Sequence, residues 1–263
     1  MVTVRRFSML KYWMANYVNN RALLAEIHAS KSSYCVFIDP SFAAYDGIVT
    51  RLGDISPEVI ADALLRRQKA HPGALEADVI IRVMSDQHLP LEEDETVRRR
   101  GRRVTDRVRT NFPAFEHMRR QGDAWVVVGR SHWRGDLQTG KFEPHGGRVT
   151  RRLAEMWQTM ALNYSRRGNW RNYSWVEDMR SQALVQLSQV GLQFDESKGS
   201  NVFAFYTTII SNVYKRAINI EHKQLNIRDD LLIMAGATPS FRRQGEDQAE
   251  QQGDTQAETR RGD

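Results

Sequence analysis

The chain has 263 residues, a formal net charge of +6 and a pI near 9.6, which favours an anionic partner without separating nucleic acid from anionic lipid. The single cysteine, Cys35, excludes an internal disulfide and is typical of a reducing compartment. No apolar run reaches the ~18–20 residues that cross a bilayer, and the N-terminus lacks a signal-peptide pattern. We therefore expect a cytoplasmic protein that has no membrane partner.

The first predicted element is a short helix near residue 20. Asn19 or Asn20 can N-cap it, and Leu23, Leu24 and Ile27 share one face at helical spacing. From the residues alone, this segment is an ordinary surface helix.

Residues 31–147 mix strand-like runs with one helical pattern, which predicts a small α+β block. Runs rich in β-branched and aromatic residues predict short strands at 34–38, 78–84 and 124–128. Ser56 followed by Pro57 is typical of a helix start, and we expect that helix to run to about Ala70. The block is predicted to be a small α+β insertion between two helical parts of the chain.

The densest positive charge of the chain lies inside this block. It is formed by Arg98, Arg99, Arg100, Arg102 and Arg103. One interpretation is contact with phosphates, with an affinity that falls steeply as salt rises. The other is a solvated loop, because like charges repel and extend the chain.

Five histidines also fall in this block, at His71, His88, His117, His132 and His145. Their spacing does not match a metal site, and Cys35 has no CxxC partner. Asp86 close to His88 could suggest a hydrolytic centre, but nothing completes it, and no P-loop, GxGxxG, GxSxG or HExxH motif is present. We therefore predict structural or surface histidines, no metal site, no cofactor and no enzymatic activity.

From residue 148 the helical pattern returns. The apolar residues of one strongly amphipathic helix are Leu153, Met156, Trp157, Met160, Ala161 and Tyr164. Arg166, Arg167 and Gly168 are expected to end it, because cations suit the negative end of the helix dipole and glycine suits a cap. With the two helices described next, it is predicted to form a three-helix core.

Two further amphipathic helices, joined by a polar turn, occupy residues 174–223. Ser174 is the predicted N-cap of the first, with Glu177 completing a capping box. The second helix carries a wide apolar stripe, made of Phe205, Tyr206, Ile209, Ile210, Val213, Ala217 and Ile220. The opposite face is predicted to carry Thr207, Ser211, Tyr214, Lys215, Ile218 and His222. An outward tyrosine among cations suits nucleic acid, whereas the alternative is a core helix with one stray tyrosine.

The chain after this pair ends in two contrasting segments. An acidic pair, Asp229 and Asp230, precedes the apolar cluster Leu231, Leu232, Ile233 and Met234. The cluster is either a short docking peptide or a last helical turn that packs on the core. Residues 242–263 contain no large apolar side chain, so we expect a disordered tail over 241–263.

A family resemblance comes from the order and spacing of Asp178, Gln182-Ala183, Phe194-Asp195, Lys198-Gly199, Phe203 and Tyr206. These residues resemble the second conserved region of bacterial sigma factors, and most of all that of the late-transcription sigma factors of large tailed bacteriophages. That family also carries a motif like residues 17–24 and an aromatic step like Tyr173-Ser174-Trp175. The resemblance covers roughly residues 16–28 and 149–240.

The resemblance implies a mainly α fold with a sigma-factor-like helical core. Its parts would be an N-terminal helical part at 1–30, an α+β insertion at 31–147, a region-2-like helical domain at 148–240 and a tail at 241–263. It also implies a function in binding rather than catalysis, in the cytoplasm of an infected bacterial cell.

Two sets of residues acquire roles from the resemblance. Asp178, Gln182 and Gln186 would face the coiled coil of the largest subunit of bacterial core RNA polymerase. The residues expected to contact promoter DNA at an AT-rich late element are Phe203, Tyr206, Thr207, Tyr214, Lys215, Arg216 and Lys223. Among them, Tyr206 falls where sigma factors place a ring that stacks on a flipped-out adenine.

The chain departs from the family in ways that affect these expectations. Primary sigma factors carry a tryptophan pair where this chain has Ile209-Ile210, and Val213 and Arg216 align with their duplex-reading residues, so the promoter preference should differ. The extreme C-terminus lacks the family's motif for docking on the sliding clamp, so residues 231–234 would have to supply it. A clamp or a phage co-activator is therefore an implied further partner.

Two hypotheses of other classes remain. One is a general basic nucleic-acid-binding accessory protein of a phage, without polymerase-dependent promoter specificity. The other is a structural or interaction protein whose basic tracts are only solvated surface.

Overall fold

The computed structural model describes residues 18–91, 107–170 and 173–245. Its α-helices are α1 (Asn20–Ser32), α2 (Pro57–Ala70), α3 (Arg151–Ser165), α4 (Val176–Val190) and α5 (Val202–Met234). Its strands are β1 (Cys35–Phe37), β2 (Gly47–Val49), β3 (Ile80–Val83), β4 (Glu116–Gln121), β5 (Ala124–Ser131), β6 (Trp133–Arg134) and β7 (Lys141–Phe142). The prediction of a mainly α chain with an α+β portion is confirmed.

Most helices begin where their capping residues predict. The side chain of Asn19 accepts a hydrogen bond from the backbone N–H of Ala22 at the start of α1, and the Ser56 side chain caps α2. Thr150 caps α3 in the same way. The predicted cap at Ser174 is wrong, because α4 begins one residue later, with Trp175 at the N-cap position and no side-chain hydrogen bond there.

Five strands form one mixed sheet in the order β1-β5-β4-β3-β2. The pairs β1–β5, β5–β4 and β4–β3 are antiparallel, whereas β3 pairs with β2 in parallel. Because parallel neighbours need a crossover, α2 provides the connection from β2 to β3. The chain reverses between β4 and β5 at Gly122, whose φ of 62° lies in the left-handed region that glycine tolerates.

A compact apolar core joins the sheet to α2. The buried residues of this core are Val49, Ala63, Val79, Ile81, Val83 and Met118. The three predicted strands correspond to β1, β3 and β5 and are confirmed. The sequence reading missed β2, which has only three residues, and β4, whose Glu-His-Met-Arg-Arg-Gln run lacks an apolar alternation.

Helix packing completes the fold. α3 packs against both α1 and α4, and all six predicted core residues of α3 are buried. The described chain divides between Ile210 and Ser211 into two compact units, and α5 contributes to both. No helix of the described residues is long and apolar enough to cross a membrane.

Candidate nucleic-acid interface

The turn between α4 and α5 is held along its length by α1. At one end of α1, the Asn20 side chain donates to the carbonyl of Ser200 at 2.6 Å and accepts from the backbone N–H of Phe203 at 3.1 Å. At the other end, Lys31 Nζ donates to the carbonyl of Phe194 at 2.6 Å. Asn20 thus satisfies an orphan donor at the start of α5, so the direction in which α5 leaves the turn is fixed by α1.

A buried ionic cluster strengthens this attachment. Lys31 Nζ lies 2.8 Å from both carboxylate oxygens of Glu196, and the side chains are 0% and 5% exposed. Arg82, from β3, reaches the same carboxylate at 3.8 Å. Its guanidinium is sandwiched between the rings of Tyr45 and Phe115, at 3.9 and 3.8 Å from their centroids. The α+β block therefore contributes directly to holding the turn.

The histidines around the cluster are kept neutral. Arg82 Nε donates to Nε2 of His117 at 3.0 Å, so the other ring nitrogen of His117 donates to the carbonyl of Phe42. Burial, reinforced by Arg82, lowers the pKa of His117 to about 3 and that of His28 to about 4. Burial also lowers the pKa of Lys31, while Glu196 opposes that shift. Glu196 is thus the anion that compensates the two cations.

Tyr206, the predicted stacking residue, is not accessible to a base. It is 0% exposed, its hydroxyl donates to the carbonyl of Gly191 at 3.0 Å, and its ring meets Trp157 edge-on at 5.7 Å. The assignment of Tyr206 to base stacking is therefore wrong for this fold. Tyr206 instead fixes the start of α5 to the turn and to α3, in keeping with its place in the apolar stripe.

The prediction that Tyr214 faces outwards is also wrong. Tyr214 is 0% exposed, although the helical wheel assigns it to the solvent side of α5. Lys215, Arg216 and Lys223 are exposed, as a phosphate contact requires. In this unit, the basic side chains are therefore accessible to a nucleic acid, whereas the ring of Tyr214 is not.

A pocket opens at the start of α5, within the first unit. Its volume is about 220 Å³, and its lining residues are Val18, Met160, Asn163, Tyr164, Arg167, Phe203, Thr207 and Ile210. Arg167 lies over the ring of Tyr164 at 4.2 Å, and Phe203 is 42% exposed. The pocket brings together Phe203 and Thr207, both predicted DNA contacts, with two predicted core residues of α3, Met160 and Tyr164. It also includes Arg167, predicted to end that helix, and Asn163, which the sequence reading did not single out.

Polar residues at four-residue spacing run along the outer side of α4. Asp178 and Gln182 are exposed and Gln186 is partly exposed, whereas Met179, Ala183 and Leu187 on the other side are buried. Val185, exposed by 56%, lies within this polar stripe at helical spacing, and sequence reasoning did not single it out. The three predicted polymerase contacts are thus presented together on one accessible surface.

The apolar cluster at the end of α5 is largely exposed. Leu231, Ile233 and Met234 are 60%, 47% and 84% exposed, and Leu232 is partly buried. The alternative of a last helical turn that packs on the core is therefore wrong for three of the four residues. An exposed cluster of this kind is available for docking.

The remaining predicted features divide between the described and the undescribed parts of the chain. Arg98, Arg99, Arg100, Arg102 and Arg103 lie outside the described residues, as does the predicted tail from residue 246 onwards. The first residues of that tail, 241–245, are helical, so the expectation of disorder is wrong for them. Among the described residues, no group of His, Cys, Asp or Glu side chains is placed to hold a metal ion. His88, His117 and His132 have buried side chains with hydrogen-bond partners, as the structural interpretation of these histidines predicts.

No protein-family model, no curated protein and no solved structure matches this chain. The likeness to sigma factors therefore depends on the residues quoted above.

Proposed function

We propose that this chain is a bacteriophage sigma-type transcription factor that binds the host core RNA polymerase and directs it to an AT-rich late promoter element. The observation that carries the proposal is the pocket at the start of α5. Phe203 and Thr207, which the resemblance assigns to DNA, line a cavity of the size of one unstacked base. In this proposal the protein binds and positions DNA and makes no covalent change to it.

Base capture in this pocket replaces the role first assigned to Tyr206. The exposed ring of Phe203 offers a stacking surface, and stacking on an aromatic ring stabilises a bound base by about 1–3 kcal/mol. Asn163 and Thr207 can hydrogen-bond the edge of a base, while Arg167 at the same pocket can meet the adjoining phosphate. Together these pocket residues would bind one base that has left the duplex, and this binding would assist promoter opening.

The polar stripe of α4 is the proposed contact with polymerase. A helix that docks on a coiled coil needs a few polar anchors around an apolar contact, and Asp178, Gln182 and Gln186 around Val185 supply that pattern. On α5, Lys215, Arg216 and Lys223 are the proposed phosphate contacts. The exposed cluster Leu231–Met234 is the proposed contact with a sliding clamp or co-activator.

In-vitro transcription with core polymerase and an AT-rich late promoter tests the proposal. Phe203→Ala is expected to reduce strand opening by about 5- to 150-fold, the loss of one stacking contact, while leaving the binding of polymerase unchanged. Asp178→Ala combined with Gln182→Ala is expected to weaken comigration with core polymerase first. Gln158→Ala, at an exposed position of α3, is the matched control and should change neither.

Polymerase dependence separates the proposal from the rival of a general nucleic-acid binder. The exposed cations of α5 favour that rival, since phosphate contacts alone need no polymerase. A chain that fails to comigrate with core polymerase, yet holds promoter and unrelated DNA equally, would support the rival and refute the sigma-type function. In either case Lys215→Ala should lower the salt slope of DNA binding by about 0.9, and Lys69→Ala on α2 should not.

A further inference from the structure

A second pocket lies in the α+β block, at the edge of the sheet where β2 and β3 end. Its volume is about 450 Å³, within the range of roughly 300–1,000 Å³ that small-molecule sites occupy. The segments that follow the two strands, residues 50–52 and 84–87, form its sides, and Val83, Glu116 and Met118 complete it. None of these residues belongs to the proposed nucleic-acid interface.

The position of the pocket follows from the topology. β2 and β3 are parallel neighbours joined through α2, so both chains leave the sheet at the same edge. In open α/β sheets, ligands bind outside the carboxyl ends of parallel strands at a switch point of the strand order. In this sheet, β2 and β3 are the parallel pair, and the pocket lies outside their carboxyl ends. Loops that diverge from adjacent strands leave such a crevice open, and here Glu116 begins an antiparallel strand at the same edge.

The lining combines an apolar surface with charges of both signs. Leu52, Val83, Met84 and Met118 supply the apolar part, and Thr50, Ser85 and Gln87 supply neutral polar groups. The charged residues are Arg51, Asp86 and Glu116. Arg51 and Asp86 are exposed at the pocket, whereas Glu116 is a buried residue.

Glu116 is only partly satisfied within the described structure. Its Oε1 accepts from Arg130 Nε at 2.8 Å and lies 3.8 Å from Nδ1 of His88. No described residue donates a hydrogen bond to its second oxygen, Oε2. Oε2 is not among the buried atoms without a partner, so it reaches solvent at the pocket, where a ligand cation can donate a charge-assisted hydrogen bond to it. The pocket is the space beside Glu116 from which a ligand can supply that donor.

We propose that this pocket binds a free α-amino acid with an aliphatic side chain. The ammonium group of the ligand meets Asp86 and Glu116, its carboxylate meets Arg51, and its side chain covers Leu52, Val83 and Met118. A zwitterion is the ligand class that uses all three charged residues. A phosphate ester would face two carboxylates, and a simple amine would leave Arg51 without a counterpart.

Calorimetry on the full chain tests the proposal with three ligands that share one aliphatic body. L-Leucine carries both charges, 3-methylbutylamine lacks the carboxylate, and 4-methylpentanoate lacks the ammonium. L-Leucine is expected to bind, and the affinity of each analogue should be at least about 10-fold lower, because each analogue loses a charge-assisted hydrogen bond. Absence of L-leucine binding at millimolar concentration, or equal binding of 4-methylpentanoate, would overturn the proposal.

Variants assign the two charges separately. Arg51→Gln is expected to lower the affinity for L-leucine by at least about 10-fold and to leave the affinity for 3-methylbutylamine unchanged. Asp86→Asn is expected to lower the affinity for both ligands. Equal weakening of L-leucine and the amine by Arg51→Gln contradicts the assigned orientation. Leu52→Trp, which fills the pocket from an exposed position, should abolish binding in a chain whose thermal unfolding is unchanged. Retained binding in that variant excludes this pocket.

Discussion

Replacing Glu196 by glutamine tests the ionic cluster that ties the turn between α4 and α5 to the rest of the first unit. The change keeps the shape of the side chain and one acceptor oxygen for Lys31, but it removes the carboxylate that lies against both Lys31 and Arg82. Lys31 is 0% exposed at its side chain and Arg82 is 1% exposed, so water cannot replace the lost charge. Removing one partner of a buried pair costs about 3–5 kcal/mol, a large part of the roughly 5–15 kcal/mol that stabilises a typical domain.

Urea unfolding at pH 7.5 measures that cost as a change in the midpoint at constant slope. Glu177→Gln is the matched control, because Glu177 pairs with Arg180 on the surface of α4 with 63% exposure and should cost at most about 1 kcal/mol. The difference in unfolding free energy between the native chain and Glu196→Gln should also become smaller as the pH rises towards 10, because deprotonation of Lys31 removes one uncompensated charge. A loss as small as that of the control, or a deficit independent of pH, would refute the reasoning.

Three further predictions concern the groups packed around this turn. The folded chain keeps His28 and His117 neutral down to pH values of about 4 and 3, whereas the unfolded chain protonates them near 6.5. The free energy of unfolding should therefore fall as the pH drops from about 6.5 to 4, by about 1.4 kcal/mol per pH unit for each histidine. His28→Gln should reduce this slope, as measured by urea unfolding. Gly191→Ala should cost about 1–3 kcal/mol in thermal or urea unfolding, because the added methyl group would overlap the indole of Trp157, and an unchanged midpoint would contradict this packing. Tyr206→Phe should lower the free energy of unfolding by about 0.5–1.5 kcal/mol through the lost hydrogen bond to Gly191, and it should leave promoter opening unchanged. A variant that loses promoter opening but keeps its full stability would instead indicate that Tyr206 contacts DNA.

Local rules predicted the helices well because their signals are short-range. A capping side chain acts within three residues, as Asn19 and Ser56 do, and the apolar stripe of α3 places all six of its members in the core. The sequence reading of α5 was less successful, because its stripe is wide. Tyr206 and Tyr214 were assigned to the apolar and the polar face of that helix but are both buried, which a helical wheel with two faces does not anticipate.

The features that the sequence could not provide all depend on long-range contacts. Arg82 and Glu196 are 114 residues apart in the chain, and no local pattern marks them as partners. Asn20 was identified as a possible cap for α1, but the structure uses it for α5. The base-sized pocket combines α3 with α5, so Asn163 and Arg167 become candidates only when both helices are in place.

The same long-range contacts change how the α+β block relates to the proposed function. As an insertion between two helical segments, the block would be expected to be separable from the helices around it. Its residue Arg82 instead lies against Glu196, in the turn from which α5 starts, and α1 holds the same turn through Lys31 and Asn20. Because Phe203 is the second residue of α5, the position of the proposed base pocket depends on that turn. The block is therefore part of the support of the proposed interface. An amino acid bound at its second pocket would contact Val83, the residue that follows Arg82 in β3.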